Sequence, residues 1–297
     1  MDFTKTLTHQ ASGASCVVHS FGATVISFKT GTGRECLFVS RDAVLDGSKA
    51  IRGGIPLVFP QFGQPDGSMP QHGFLRTNFW KLEEDSIHDN EIEAGMSYSL
   101  DLKNVRNSRG GPWSIETTFD CKVLYSIAIS GSKMTTTLEI QNCGDTPFPF
   151  QTLQHTYLYV EGGGAQDPAQ CNVKGLEGYS VSDKISNEEY VWGSDPVTIP
   201  DNVDRVYNPP PGKDIVDVVV GVGSGKMLRL TASGTMDGTS TPVSCVVWNP
   251  YKEKAAAMGD FGDDQYVDMI CVEPGLLQGL SLEPSKHATL TQVLEMM

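Results

Sequence analysis

The chain has 297 residues, 39% of them hydrophobic and 20% charged, with 31 glycines and 17 prolines spread along it. That length supports a large core in one unit, and the composition suits many short strands joined by turns better than long helices. A formal net charge of −14 repels nucleic acid and anionic membrane, so neither is expected as a partner.

The same charge repels phosphorylated metabolites, so an anionic ligand would need a local basic cluster. The seven cysteines form no CxxC pair, and Cys36, Cys245 and Cys271 sit inside apolar runs. They read as small buried hydrophobes in a reducing compartment, not as a disulfide frame or a zinc site. The opening MDFTKTLTHQ has no basic or apolar region of a secretory signal. No apolar stretch approaches the ~20 residues that span a bilayer. The cytoplasm is the expected location.

In chain order, CVVHSFGATVISFKT (16–30) predicts two strands joined at Gly22. CKVLYSIAI (121–129) and MTTTLEI (134–140) flank Ser-Gly-Ser-Lys, a hairpin signal. FPFQTLQHTYLYV (148–160) is rich in aromatic and β-branched residues. SNEEYVW (186–192) reads as a short helical turn and NVDRVY (202–207) as a polar loop. DIVDVVVGV (214–222) and KMLRLTAS (226–233) predict another hairpin. VSCVVWNP (243–250) reads as a strand, KEKAAAM (252–258) as one or two helical turns, and a strand over 267–273 and HATLTQVLEM (287–296) complete the set. This pattern predicts an all-β chain, a large antiparallel β-sandwich with a few short helices. No composition shift marks a boundary, so one domain over 1–297 is expected, without internal repeats.

One stretch, QYVDMICVEPG (265–275), poses the functional question, because an apolar strand ends in a lone carboxylate. Val267, Met269, Cys271 and Glu273 share a face. Pro274 holds Glu273 extended and Gly275 is expected to turn the chain. A Glu desolvated in this way has a raised pKa and becomes a better base near neutral pH; the plainer reading is a rim residue facing water. His155 shares a face with Leu153, Tyr157 and Tyr159. It is either a satisfied core histidine or a proton-transfer group.

PQHGFLRTNFW (70–80) offers Gln71 and His72 as partners for hydroxyls, followed by Arg76. In IRGGIPLVFPQFG (51–63), Arg52 precedes two glycines that allow close backbone approach to a ligand. Its fork of donors needs an anionic partner, either an internal acid or a phosphate or carboxylate. Asp204 could accept sugar hydroxyls or simply face water. The acids Asp260, Asp263, Asp264 and Asp268 do not match an EF-hand loop, and no metal or nucleotide motif is present.

Together RGGIPLVFPQFG, QHGFLR, LQHTYL, DRVY, VVWNPY and KAAAMGDFGDDQYVDMICVEPG, spanning 52–275, resemble the aldose 1-epimerase (galactose mutarotase-like) superfamily, and most closely its glucose-6-phosphate 1-epimerase branch. The resemblance implies a β-sandwich isomerase that interconverts α and β anomers of a hexose 6-phosphate without a cofactor. It implies His155 as catalytic acid, Glu273 as catalytic base, Arg52 and Arg76 near the 6-phosphate, and Gln71, His72 and Asp204 on the sugar. A monomer acting on a small phosphosugar is expected. The alternatives are a non-catalytic sugar-binding module on the same sandwich and a mutarotase for unphosphorylated aldoses. A glycoside hydrolase would want two carboxylates about one bond, where this chain offers one Glu and a His.

Overall fold

The computed structural model describes residues 3–102 and 120–297. In chain order its strands are β1 (Thr4–Thr8), β2 (Ser15–His19), β3 (Thr24–Lys29), β4 (Leu57–Val58), β5 (Lys81–Asp89), β6 (Ala94–Asp101), β7 (Cys121–Ser130), β8 (Lys133–Asn142), β9 (Phe148–Gln154) and β10 (Tyr157–Tyr159). They continue with β11 (Val173–Lys174), β12 (Ser180–Asp183), β13 (Glu188–Val191), β14 (Val203–Asn208), β15 (Val216–Gly221), β16 (Met227–Met236), β17 (Thr239–Thr241), β18 (Ser244–Asn249), β19 (Met269–Leu282) and β20 (His287–Met296). One α-helix, α1 (Tyr251–Ala256), stands among the described residues where KEKAAAM predicts it.

Among the described residues these strands form three sheets. A small sheet is ordered β1-β2-β3. An eight-stranded sheet runs β13-β12-β14-β18-β19-β9-β4, with β10 also on β19. A nine-stranded sheet runs β11-β15-β16-β20-β8-β7-β6-β5, with β17 on β16. The ladders are antiparallel throughout, so the expected all-β sandwich is the fold. The β7–β8 hairpin turns at Gly131, whose φ of +55° is one that glycine adopts without strain.

The main apolar core takes one face of each large sheet, and a second, smaller cluster covers the outer face of the eight-stranded sheet. Ile270 and Val272 enter the main core while Met269 and Cys271 enter the outer cluster; Cys245 and Val247 likewise alternate with Val246 and Trp248. Burial on both faces explains why MICV and SCVVW read as unbroken apolar runs. Between the sheets lies a polar seam. The Thr136 hydroxyl donates to Gln154 Oε1 at 2.7 Å, and the Thr156 hydroxyl donates to Gln292 Oε1 at 2.7 Å.

Three local expectations are corrected. SNEEYVW forms β13, not a helical turn: a helix that short cannot hold itself, whereas β13 makes a four-residue ladder with β12 at the sheet edge, with both glutamates exposed. NVDRVY forms β14, not a loop, and pairs with both β12 and β18. The last expectation concerns β19, which starts at Met269 after a 3-10 turn over Gln265–Asp268 and continues to Leu282. Gly275 does not turn the chain; it pairs with Leu153 on one side and Ser244 on the other.

Candidate active site

The outer face of the eight-stranded sheet carries a cavity of about 610 Å³, within the usual size of small-molecule sites. It lies over two rows of cross-strand neighbours, of which Val246, Glu273, Asp204 and Trp248 reach the lining. Val206 pairs with Val246, and Val246 with Glu273; two residues along, Asp204 pairs with Trp248, Trp248 with Cys271, and Cys271 with Tyr157. Leu153 pairs with Gly275 and Tyr157 with Cys271. This single register carries through the interruption between β9 and β10 and puts His155 opposite Glu273.

Pro274 explains that interruption. Val272 N–H donates to Thr156 O, so the hydrogen-bonded positions of β19 are 272 and 274. Pro274 faces Gln154 and has no N–H to give it. The Gln154 carbonyl instead accepts from Thr156 N–H at 2.9 Å, a three-residue turn centred on His155, whose own N–H goes to Pro56 O. His155 and Glu273 thus occupy a non-hydrogen-bonded pair, the type whose side chains approach most closely. The proline of the VEPG stretch shapes the histidine's strand as well as its own.

His155 Nδ1 lies 3.4 Å from Glu273 Oε1. His155 Nδ1 and Glu273 Oε2 are buried without a hydrogen-bond partner, and Glu273 is only 1% exposed. The His155 ring stacks on Tyr157 at 4.8 Å and meets His72 and Trp248 edge-on. Burial, then the charge of Asp204, holds the Glu273 carboxyl well above the ordinary carboxylate range, against the pull of Arg76. Burial also holds His155 well below the ordinary imidazole range, helped by His72, Arg76 and Arg52. Both shifts oppose net charge, so the pair favours the state in which it carries one proton in all.

His72 has a fixed tautomer. Its Nδ1 accepts from Gly63 N–H at 3.0 Å, so in the neutral ring the proton sits on Nε2. Burial, with Arg76 and Arg52, pushes its pKa down to about 3. His72 is therefore a neutral ring with one N–H donor.

Arg52 also lines the cavity. It is held by Asp260, with Nε 3.3 Å from Oδ1, and its Nη1 lies 3.4 Å from the Tyr157 hydroxyl; Lys49 reaches the same acid at 2.8 Å. The two glycines after Arg52 admit the protein's own backbone, not a ligand. A Cβ on Gly53 would meet Val39 Cα at 2.4 Å, and one on Gly54 would meet Val25 O at 2.1 Å. Arg76, on the 3-10 turn Leu75–Thr77, stands behind the lining, where its Nη2 donates to Gln71 O at 2.9 Å and its Nε is buried without a partner. Desolvation lowers it to about 10, still cationic at neutral pH. Gln71 and Asp204 line the cavity, and Asp204 meets Lys254 at 3.5 Å.

All seven expected site residues therefore gather here, six in the lining and Arg76 behind it. Sequence reasoning missed Asp260, which anchors Arg52, and the lining residues Trp248, Lys184, Lys254 and Gln151. Trp248 shares its strand face with Val246, so period-2 alternation could have placed it across from Cys271. The lysines lie on separate segments and gave no signal. A larger hollow of about 860 Å³ lies beside Arg34 and Tyr159. It holds no histidine, and its Arg34–Glu161 pair is closed at 2.7 Å.

The chain is 30% identical over 286 residues to a Cenchrus ciliaris protein named provisionally as a glucose-6-phosphate 1-epimerase, covering 95% of this chain and 82% of that one. An Escherichia coli K12 protein with the same provisional name is 28% identical over 85% of this chain and 76% of its own. A crystal structure of a Salmonella typhimurium protein, described provisionally as a mutarotase, superposes with a TM-score of 0.75 at 23% identity, covering 99% and 92% of the two chains. The family profile for aldose 1-epimerase matches residues 5–295, nearly the whole described fold, and the chain belongs to that family.

Proposed function

We propose that the chain is a hexose-6-phosphate mutarotase, interconverting the α and β anomers of glucose 6-phosphate as one catalytic domain. One observation carries this reading: a desolvated carboxyl and imidazole, 3.4 Å apart, each keep an unpartnered polar atom on the floor of a sugar-sized cavity. Exchange of anomers needs one proton taken from the C1 hydroxyl and one given to the ring oxygen. In the form of the one-proton pair that carries its proton on the imidazole, Glu273 is the base and His155 the acid. The aldehyde rotates about C1–C2, and the roles reverse to close the ring on its other face. The pair starts and ends with one proton, so no net charge accumulates in the buried site.

His72 Nε2–H, Gln71 and Asp204 are placed to hold sugar hydroxyls, and Trp248 offers an apolar wall. Arg52 and Arg76 are the phosphate-binding pair. Arg52 shares the single carboxylate of Asp260 with Lys49, and Arg76, whose buried Nε lacks a partner, adds a second cation. A charge-assisted Arg–phosphate contact is roughly twice as strong as a neutral one. Lys184 and Lys254 in the lining add to the basic cluster that a phosphosugar requires on a chain of net charge −14. The seven free cysteines support a reducing compartment. We place the enzyme in the cytoplasm as a monomer; among the described residues no helix is long and apolar enough to cross a membrane.

The test is NMR exchange between the two anomeric proton signals of glucose 6-phosphate. The enzyme is expected to speed exchange far above the spontaneous rate, and to do so less for glucose. No acceleration for either sugar would overturn the reading.

A further inference from the structure

Cys271 is a third reactive group, buried just beneath the cavity lining, and the ring opening does not use it. It precedes Glu273 by two residues on β19, shares its face, and pairs with Tyr157 and Trp248 on the flanking strands. Its Sγ, a His155 ring nitrogen and a Glu273 carboxylate oxygen all lie within 4.8 Å of one another. Two of these side chains already have an open valence, since His155 Nδ1 and Glu273 Oε2 are buried and unpartnered. The 3.4 Å between Nδ1 and Oε1 is long for a charge-assisted hydrogen bond, which runs about 2.7–2.9 Å. It is close to the separation of two ligands on one tetrahedral ion with bonds of about 2.0–2.2 Å.

We propose that the cavity floor is a binding site for a thiophilic divalent cation of the Zn²⁺ type. The ligands are His155, Cys271 and Glu273, and the bound ion reversibly blocks anomer exchange. The inhibitory half of this statement rests on the proposed mutarotase reading; the metal site does not. Nitrogen, sulfur and carboxylate oxygen are the donors zinc takes in proteins, and a sulfur in the set disfavours Mg²⁺ and Ca²⁺. As the metal–sulfur bond forms, the Cys271 proton leaves to solvent. The fourth position opens into the cavity, because His155 and Glu273 line it, so water or a substrate hydroxyl can complete the ion. An ion held there occupies the lone pairs that would move protons, which makes it an inhibitor and not a cofactor.

The probe is Co²⁺ added to the intact chain, read by visible and near-ultraviolet absorption, alongside anomeric exchange of glucose 6-phosphate with Zn²⁺ or Mg²⁺. Cys271→Ala and Cys271→Val serve as a pair, the second filling the space the first leaves. The wild type is expected to show tetrahedral cobalt bands with a thiolate-to-cobalt transition, and to be inhibited by Zn²⁺ but not by Mg²⁺. Both variants should retain the basal rate, lose the thiolate band, and need about tenfold or more Zn²⁺ for half inhibition. Three results would overturn the proposal: no thiolate band in the wild type, equal zinc sensitivity in folded variants, or a chelator-treated enzyme that Zn²⁺ reactivates. In a chain that fails the anomeric exchange assay without metal, the cobalt spectrum alone still decides the site, so the two failures are distinguishable.

Discussion

Gln154 and His155 are consecutive residues facing opposite sides of one sheet, and their polar atoms are treated differently. On the inner side, Gln154 Oε1 accepts from the Thr136 and Tyr125 hydroxyls, and its Nε2 donates to Leu290 O at 3.2 Å. That seam joins the two large sheets and leaves the amide satisfied. On the outer side, His155 Nδ1 and its partner's Glu273 Oε2 are equally buried and have no hydrogen bond. Each such group costs about 1–3 kcal/mol. At these two neighbouring residues the fold satisfies the polar atoms between the sheets and leaves open the ones that face the cavity. Burial alone does not separate the structural Gln154 cluster from the proposed catalytic pair; at these residues hydrogen-bond satisfaction does.

The sharpest way to break this comparison is Glu273→Gln, which keeps the shape and removes the charge. Positioned proton transfer contributes about 10²- to 10⁴-fold, and the anomeric exchange rate should fall by that much. Stability should move the other way. The folded-state pKa of Glu273 is raised, so its favourable contribution is complete below the unfolded carboxyl value and is lost as pH rises toward the folded one. At neutral pH the wild type bears that cost and the Gln variant does not. Thermal melts should show the variant gaining on the wild type as pH rises from about 4 to 8. A variant that keeps near-full turnover would remove Glu273 from the chemistry.

Arg76→Ala comes next. A hydrogen bond to a charged group is worth about 1.5–3 kcal/mol, so KM for glucose 6-phosphate should rise roughly 10- to 150-fold while KM for glucose changes little. Equal losses for both sugars would reassign Arg76 to the scaffold, where its bond to Gln71 O already gives it a role.

The two sides of the sheet also differ in how far the sequence revealed them. Alternation in CKVLYSIAI and MTTTLEI exposed the β7–β8 hairpin, because those strands have one face in the core and one toward water. MICV, buried on both faces, hid its period, and neither the start nor the far end of β19 was legible. The acid before the proline was a local signal and led to Glu273. His155 could be nominated from its strand face, but its place opposite Glu273 depends on a register spanning over a hundred residues. The break that presents it is caused by a missing N–H on another strand. Asp260 was visible only as one acid among four; what makes it matter is Arg52, brought to it from 208 residues away. Local chemistry is written locally, and pairing is not.

The opposite test uses the inner side of the sheet. Thr136→Val keeps the shape and deletes the donor to Gln154 Oε1. It should cost about 1–3 kcal/mol in denaturant unfolding, with the anomeric exchange rate per folded molecule unchanged. A loss of rate without a loss of stability would mean that the seam tunes the active site.

Asp204→Asn should have the smallest and most diagnostic effect. Asp204 lies one strand beyond Trp248, and its charge is the second cause, after burial, of the raised Glu273 pKa. The rate should follow a bell in pH, with one limb where the His155–Glu273 pair takes up a second proton and the other where it loses its only one. Removing a nearby negative charge makes both protonations harder, so the whole bell should slide to lower pH by a fraction of a unit, measured as kcat/KM against pH. Any weakening of the carboxylate's hold on a sugar hydroxyl shows up separately, as a change in the height of the bell. A profile that changes only in height would mean that Asp204 touches the sugar without tuning the pair, and a shift to higher pH would contradict the electrostatic coupling across the sheet.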